Sequence, residues 1–323
     1  MLRLDSNLIP EADEIRLFAK VRNEANKLPF WLSYYRALGV DRFFIVENES
    51  TDHTVDLLSG EKDVHIFLTS EKMSAARGGM DWIEPLLHQY GENRWCLIVD
   101  VDELLVYPNS ENVSLRGLCL LLEQMNADAF FCLLIDMYPD GNVDDITYVP
   151  GQSFLDISPF FDGSGYRSLW SGPSGALVIG GPRLRMFYPG YLPGIHWRFL
   201  RRIRAYIGLP ISNPPILNKV PLVRWGRQMS FSSAAHSLRR CHLAKGNGAL
   251  LHFKFLGNFA YRVEEELVRK AYFNEGQHYQ RYFRRLRGSR NRLRKIDFMC
   301  RISLPYYSSW QLIDLGLIAS PTI

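Results

Sequence analysis

The sequence predicts an α/β fold in which helices flank a Rossmann-like, mostly parallel sheet. Short apolar segments rich in β-branched and aromatic residues alternate with segments of helical periodicity through the first hundred residues. Polar clusters follow several of these apolar segments, which is typical of parallel strands that end at one ligand-binding edge. The clearest case is the apolar run 95–99, which leads directly into Asp100-Val101-Asp102-Glu103.

The first two predicted strands each end in a polar cluster. The apolar segment 15–21 precedes Arg22-Asn23-Glu24, and the apolar segment 42–46 precedes the polar residues 47–52. Between the two strands we predict a helix that ends at Gly39. Its apolar face is formed by Leu28, Trp31, Tyr35 and Leu38.

The pattern then repeats along the chain. Ser50 or Asp52 would cap a short helix that ends near Leu57, and the segment 64–68 is predicted as the next strand. A further helix leads to the strand that ends at Asp100. The apolar side of that helix is formed by Met80, Ile83, Leu87 and Tyr90. Later strands are predicted over 129–135 and 249–255.

Asp100 and Asp102 are candidate ligands of a divalent cation. Carboxylates one residue apart at a strand end can face a single Mg²⁺ or Mn²⁺, and substrate phosphates usually complete the coordination of such ions. The alternative is a solvated acidic turn, because a D-x-D pattern is short and common. The surrounding alternation of strands and helices favours the site for a metal and a diphosphate.

Four motifs in order resemble those of family 2-like glycosyltransferases with the GT-A fold. They are Val21-Arg22-Asn23-Glu24, Leu38-Gly39-Val40-Asp41, Glu47-Asn48-Glu49-Ser50-Thr51-Asp52 and Val99-Asp100-Val101-Asp102-Glu103. The chain is most similar to the bacterial branch with an N-E-A opening, and the likeness continues through 180–183, 219–222 and 251–255. The resemblance implies transfer of a sugar, with inversion, from a nucleotide-diphosphate sugar to a glycan or lipid-linked acceptor in cell-surface polysaccharide synthesis.

The resemblance also implies roles for individual residues. Those that would contact the nucleotide sugar are Arg22, Asn23, Glu24, Glu47, Asn48, Arg77, Asp100 and Lys254. The implied ligands of Mn²⁺ or Mg²⁺ are Asp100, Asp102 and His252. A solvated arginine is the alternative for Arg77, and a hydrogen-bonded core histidine is the alternative for His252. The chain departs from the family pattern at Glu47, where Asp is usual, and at Glu49, where Gly often provides a left-handed turn.

An inverting transfer needs a base that accepts the proton of the acceptor hydroxyl. No Asp or Glu occurs between residues 163 and 263, so the candidates precede that segment. We prefer Asp162, because its neighbours Phe160 and Phe161 would desolvate the carboxylate and raise its pKa. Asp136, after the strand 129–135, is the second candidate. Asp140 and Asp156 are further ones.

Positive charge is concentrated in the second half of the chain. The acid-free segment contains fifteen Lys or Arg residues, which predicts an anionic partner such as an acceptor with phosphate or acidic sugars. A second basic segment lies between Arg281 and Lys295 and predicts peripheral contact with an anionic membrane, the alternative being a solvated helical face. No nucleic-acid-binding motif is present, and no nucleic-acid partner is expected.

The 323 residues and 47% hydrophobic content are ordinary for a globular protein. We predict a nucleotide-sugar-binding half over 10–150, an acceptor-binding half of the same domain over 151–260, and a basic helical extension over 261–323. A long loop is predicted from Pro210 to Pro221, where it would fold over the active site. The absence of a bilayer-spanning apolar run, of a signal peptide and of paired cysteines among the five predicts a cytoplasmic protein.

Two other functions fit part of the pattern. A phosphohydrolase of the haloacid dehalogenase type also has a D-x-D after an apolar strand, but it requires a later acidic pair that the acid-free segment does not supply. A non-catalytic protein could use the same scaffold and its basic face to bind a polyanion. The intact pair of Asp100 and Asp102 favours an enzyme over this second alternative.

Overall fold

The structure is a computed structural model that describes most of the chain. The described residues are 1–6, 8–172, 175–188, 191, 203, 206, 214–232, 235–257, 259, 263–264, 267, 280–283 and 295–322. A nine-stranded mixed sheet lies at the centre, and helices cover both faces. No helix within these ranges is long and apolar enough to cross a membrane.

The elements follow the alternation expected from the sequence. The strands are β1 (Leu2–Arg3), β2 (Arg16–Val21), β3 (Arg42–Glu47), β4 (Val64–Leu68), β5 (Trp95–Ile98), β6 (Glu103–Val106), β7 (Ala129–Asp136), β8 (Phe160–Asp162), β9 (Arg167–Gly172), β10 (Gly175–Ile179), β11 (Asn218–Arg224), β12 (Ser230–Phe231), β13 (Leu238–Arg239), β14 (Gly248–His252) and β15 (Ser303–Pro305). The helices are α1 (Leu28–Leu38), α2 (Thr54–Ser59), α3 (Met80–Leu86), α4 (Leu115–Gln124), α5 (Phe154–Ile157), α6 (Gly181–Phe187) and α7 (Ser309–Asp314).

The order of strands in the central sheet is β1-β4-β3-β2-β5-β11-β7-β14-β6. The parallel pairs are β2 with β3, β3 with β4, β2 with β5, and β7 with β14. Because β11 is antiparallel to both β5 and β7, those two strands share a direction. Six strands of the nine therefore point the same way, which confirms a mostly parallel sheet flanked by helices.

The first half of the chain folds as the periodicity predicts. Leu28, Trp31, Leu32 and Tyr35 form the buried face of α1, and Gly39 ends the helix in a left-handed conformation with φ of 108°. Asp52, one of the two predicted caps, accepts a hydrogen bond from the backbone N–H of Thr54 at 3.0 Å. Burial of this apolar face of α1 against the sheet explains why the segment forms a helix.

The prediction of a loop from Pro210 to Pro221 is wrong from residue 218 onward, whereas residues 214–217 form neither helix nor strand. Residues 218–224 form β11, which lies in the middle of the sheet and pairs with β5 and β7. A proline has no backbone N–H to donate to a neighbouring strand. The presence of Pro221 therefore argued against a central strand at this position. The strand accommodates it because the pairing with β7 shifts register between Lys219 and Leu222. Residues 210–213 lie outside the described ranges.

One cluster of buried apolar side chains extends from Ile15 to Ile318 and includes residues of all three predicted segments. Near the C-terminus, β15 pairs with β8, and α7 begins where the Ser308 hydroxyl accepts from the N–H of Gln311. The predicted basic helical extension is described only in part. Of the segment between Arg281 and Lys295, residues 284–294 lie outside the described ranges.

Candidate functional site

The acidic motif lies at the sheet edge where the parallel strands end. β5 stops at Ile98, and a tight turn leads from Asp100 to the start of β6. The backbone N–H of Glu103 donates to the Asp100 carbonyl at 3.0 Å, and the Asp100 N–H donates to the Glu103 carboxylate at 3.0 Å. The indole N–H of Trp31 in α1 also donates to the Asp100 carbonyl, at 3.2 Å. These bonds fix the backbone of the motif.

Two lysines hold the carboxylate of Asp100. Its Oδ1 lies 2.5 Å from Nζ of Lys20 in β2, and its Oδ2 lies 3.1 Å from Nζ of Lys219 in β11. Lys219 also contacts Glu103 at 2.9 Å. Burial alone would raise the pKa of Asp100, but the two ammonium groups outweigh burial and hold that pKa well below its usual range.

A chain of charged groups begins at Asp102. Its Oδ2 lies 3.5 Å from Nε2 of His252, whose Nδ1 lies 2.6 Å from Oδ1 of Asp136. The other oxygen of Asp136 accepts from Nε of Arg183 at 2.6 Å. Because Asp136 accepts from Nδ1, the imidazole is oriented with Nε2 toward Asp102. Burial would lower the pKa of His252, but the carboxylates of Asp102 and Asp136 outweigh burial and raise it.

The geometry around Asp102 and His252 fits part of a divalent-cation site. A ligating histidine usually donates its other ring N–H to a carboxylate, which is the arrangement of His252 and Asp136. Asp100 does not fit as placed, because both of its oxygens face ammonium groups. Within the described ranges, no three His, Cys, Asp or Glu side chains gather into a complete metal site. Water and phosphate oxygens would have to supply the remaining ligands.

Five of the eight predicted nucleotide-sugar residues lie at the ends of β2 and β3. Asn23 Oδ1 accepts from the Thr51 N–H at 2.7 Å, and Arg22 donates to the Asn48 carbonyl at 3.1 Å. The amide of Asn48 donates to the carbonyls of Thr69 and Glu71. These polar side chains thus join the strand-end loops to each other.

Two further predicted residues have local partners in the same loops. The Glu47 carboxylate accepts from the N–H of Ser50, and the N–H of Glu24 donates to Oγ1 of Thr54 at 2.9 Å. Glu49, where the family often has Gly, has φ of 56° and therefore occupies the left-handed region despite its side chain. Glu49 thus adopts a backbone conformation that glycine reaches at lower cost.

Arg77 lies in a left-handed segment that ends beside Lys20. Its guanidinium bonds to Asp81 at 2.6 Å, to Glu84 at 2.5 Å and to the Phe231 carbonyl at 2.8 Å. Gly79 follows with φ of 89°, and a Cβ there would lie 2.5 Å from Cδ of Lys20. The segment thus supplies space for the Lys20 side chain, while Arg77 joins α3 to β12.

The two preferred base candidates, Asp162 and Asp136, are enclosed by partners. Asp162, with a side chain 2% exposed, accepts from the Tyr138 hydroxyl at 2.7 Å and from Nη2 of Arg185 at 2.8 Å. Asp136, with a side chain 0% exposed, is bound by His252 and Arg183. In this geometry neither carboxylate presents a free oxygen to an acceptor. The sequence could show aromatic neighbours but not the arginines that pair with these acids.

Lys254 lies in a small cleft next to the acidic motif. The cleft has a volume of about 120 Å³ and is lined by Asn23, Asn26, Lys27, Ile146, Thr147, Tyr148, Lys254, Leu256 and Gly257. Ligand sites usually enclose roughly 300–1,000 Å³, so a single phosphate or sugar ring fits this space better than a whole nucleotide sugar. Burial would raise the pKa of Asp102, but His252, Lys27 and Lys254 together hold it well below its usual range.

Sequence reasoning missed three lysines of this site: Lys20, Lys27 and Lys219. Lys20 stands one residue before the end of a strand that is otherwise apolar after Arg16. Lys219 belongs to the segment 219–222, which shares the resemblance described above, but the prolines around it suggested a loop. For Lys20, the available signal was a charged residue near the end of an apolar strand, since burial of an ammonium group requires a partner.

Comparisons with known proteins leave the family open. No protein-family model matches the sequence, and no curated protein matches it. Among solved structures, HddC from Yersinia pseudotuberculosis aligns with 41% of this chain at 12% identity and a TM-score of 0.25. The chain spans 62% of the length of HddC. A UDP-glucose pyrophosphorylase complexed with UDP-glucose aligns with 65% of this chain and 93% of its own length, at 10% identity and a TM-score of 0.28.

Proposed function

We propose that this protein is a metal-dependent glycosyltransferase of the GT-A type. It would transfer a sugar, with inversion, from a nucleotide-diphosphate sugar to a glycan or lipid-linked acceptor at the cytoplasmic side of the cell. The observation that supports this proposal most directly is the oriented pair of Asp102 and His252, which lies beside several lysines where the parallel strands end. The carboxylate and the imidazole suit a divalent cation, and the ammonium groups suit the phosphates that the cation would bind.

Asp102 and His252 are the residues that would hold Mn²⁺ or Mg²⁺. A cation there supplies Lewis-acid stabilisation of the leaving diphosphate. Asp136 orients the imidazole through Nδ1, and Arg183 neutralises the buried Asp136 carboxylate. This arrangement keeps Nε2 directed toward Asp102 before any ligand arrives, which lowers the entropic cost of binding.

The lysines would bind the diphosphate of the donor. Lys20 and Lys219 neutralise Asp100 in the absence of a ligand, and phosphate oxygens can accept from the remaining N–H groups of both ammoniums. Lys27 and Lys254 lower the pKa of Asp102, the other carboxylate of the motif. Because lysines lie near both carboxylates, the motif favours an anion with two phosphate groups.

Calorimetry with UDP and GDP, each with Mn²⁺ and with a chelator, tests the proposal. We expect binding of one nucleotide that is at least about tenfold tighter with Mn²⁺, equivalent to about 1.4 kcal/mol. Equal affinity in chelator would contradict the metal bridge. No binding of either nucleotide under any condition would contradict a UDP- or GDP-sugar donor, and turnover of a simple phosphomonoester in its place would favour a phosphohydrolase.

A further inference from the structure

His236 lies beside the acidic motif, in the segment that contains no carboxylate. It belongs to the connection between β12 and β13, which lies along the first residues of β11. The N–H of Val220 donates to the Ala235 carbonyl at 2.9 Å, and the amide of Asn218 donates to the His236 carbonyl at 2.6 Å. Two bonds to one central strand therefore fix the backbone of His236.

The ring of His236 is also held by β11. Its Nδ1 lies 2.8 Å from the Asn218 carbonyl oxygen. A carbonyl can only accept a hydrogen bond, so the proton of the neutral ring resides on Nδ1 and the lone pair resides on Nε2. Asn218 precedes Lys219 in the chain, and Lys219 contacts Asp100 and Glu103. The histidine is therefore anchored next to the proposed diphosphate site.

The charges that face His236 favour its neutral form. Burial is the largest effect, and the positive charges of Lys219 and Arg183 add to it, whereas Asp100 and the bond to Asn218 act in the opposite direction. The result is a pKa of about 4, lowered from 6.5. Part of the His236 surface is nevertheless accessible to solvent, and no partner of Nε2 is found among the described residues. A neutral imidazole with an available lone pair is a proton acceptor.

We propose that His236 is the general base of the transfer reaction, a role that rests on the proposed glycosyltransferase function. Nε2 accepts the proton of the acceptor hydroxyl while the acceptor oxygen forms a bond to the anomeric carbon of the donor sugar. The bond between the anomeric carbon and the diphosphate oxygen breaks, and its electron pair leaves with the nucleoside diphosphate. The imidazolium then returns its proton to solvent, so atoms and charge balance over the cycle.

Donor binding would adjust His236 for this role. A bound diphosphate places negative charge near Lys219, the lysine that disfavours the imidazolium in the free protein. The protonated ring becomes less unfavourable when that positive charge is compensated. Proton acceptance is thus promoted when the donor is in place, and it is disfavoured when the site contains no substrate.

The test compares His236→Ala with His242→Ala in the full chain. His242 is the matched control because its side chain is 82% exposed and, among the described residues, its ring contacts only Asp128. The probes are UDP-glucose, UDP-N-acetylglucosamine and GDP-mannose with Mn²⁺, and the readout is released nucleoside diphosphate, with water as the acceptor. We expect kcat of His236→Ala to fall at least about 100-fold, while nucleotide affinity changes by less than about threefold.

Chemical rescue separates a base from a structural residue. Added imidazole can enter the space left by His236→Ala and accept the proton, so we expect its turnover to rise with imidazole concentration, whereas His242→Ala stays unchanged. His236→Gln provides a second variant in case alanine impairs folding. Normal turnover in either folded variant, or loss without rescue, would overturn the base assignment. If the wild-type protein binds a nucleotide but the variants behave normally, only this inference fails; if no donor is bound or hydrolysed, the proposed function fails with it.

Discussion

Nζ of Lys219 lies 2.9 Å from the carboxylate of Glu103, and both side chains are buried inside the sheet, with exposures of 5% and 2%. Lys219 belongs to β11 and Glu103 begins β6, so the pair joins two strands that are not neighbours in the sheet. The same ammonium group also contacts Asp100. One lysine therefore compensates two carboxylates of the acidic turn. Its contact with Glu103 stabilises the fold, and its contact with Asp100 belongs to the candidate site.

Replacing this lysine should destabilise the fold strongly. Lys219→Met leaves Glu103 without its cation in a buried position, and breaking a buried pair in this way costs about 3–5 kcal/mol. Urea unfolding should show this loss, and Glu103→Gln added to Lys219→Met should recover part of it by removing the uncompensated charge. Lys62→Met, at an exposed lysine, is the control and should change stability by less than about 0.5 kcal/mol. An unchanged midpoint for Lys219→Met would show that the pair does not contribute.

Gly79 should be intolerant of a side chain for two separable reasons. Its φ of 89° is unfavourable for alanine, and a Cβ would lie 2.5 Å from Cδ of Lys20. Gly39, with φ of 108° and nothing within 4 Å of its notional Cβ, isolates the first reason. We expect Gly39→Ala to cost about 1–2 kcal/mol in urea unfolding.

Gly79→Ala should cost more than Gly39→Ala and should also weaken nucleotide binding, because Lys20 must move away from Asp100. Adding Lys20→Ala to Gly79→Ala removes the clash and should restore part of the stability but none of the affinity. Equal effects of the two glycine substitutions on stability and on UDP or GDP affinity would show that Gly79 does not position Lys20.

Most of the sheet could be predicted from the sequence because its strands and helices have clear periodicity. β4 matched its predicted bounds of 64–68, and β7 extended its predicted range by one residue to Asp136. β11 could not be predicted in the same way. Prolines are rare in central strands, and only the register shift between Lys219 and Leu222, a tertiary feature, reconciles Pro221 with the sheet.

The candidate site was less predictable than the fold. The position of Asp100 and Asp102 followed from the strand that precedes them, and the parallel sheet explains why Asn23 and Asn48 lie near each other. The partners of each charge did not follow, because they come from strands that are distant in sequence. Asp162 illustrates this limit: its aromatic neighbours suggested an active base, whereas Arg185 and Tyr138 enclose it.

The lowered pKa of His236 predicts a specific pH dependence of stability. In the folded protein the pKa is about 4, whereas the ordinary value of 6.5 applies to the unfolded chain. Between these values the unfolded chain binds a proton that the folded protein does not, so stability decreases as the pH falls from about 6.5 to about 4.

His236→Asn should lose less stability than the wild type over this window in urea unfolding at fixed ionic strength. His53→Asn, whose side chain is 92% exposed in the wild type, should follow the wild-type curve. Parallel curves for all three proteins would mean that His236 titrates normally.

Asp102 is the carboxylate whose removal should affect turnover most directly. It faces Nε2 of His252 at 3.5 Å, so Asp102→Ala removes one of the two groups proposed to hold the cation. We expect donor hydrolysis with Mn²⁺ to fall at least about 100-fold, which corresponds to about 2.7 kcal/mol of the stabilisation that a Lewis-acid cation gives to a leaving diphosphate. Asp13→Ala, at a carboxylate that is 94% exposed, is the matched control and should retain the wild-type rate. Circular dichroism and the urea midpoint establish that each variant is folded. Suppose that folded Asp102→Ala turns over donor at a near-normal rate and that its nucleotide affinity still depends on Mn²⁺. The cation is then held elsewhere, and the acidic turn serves the fold through Asp100, Glu103 and Lys219, the lysine that contacts both.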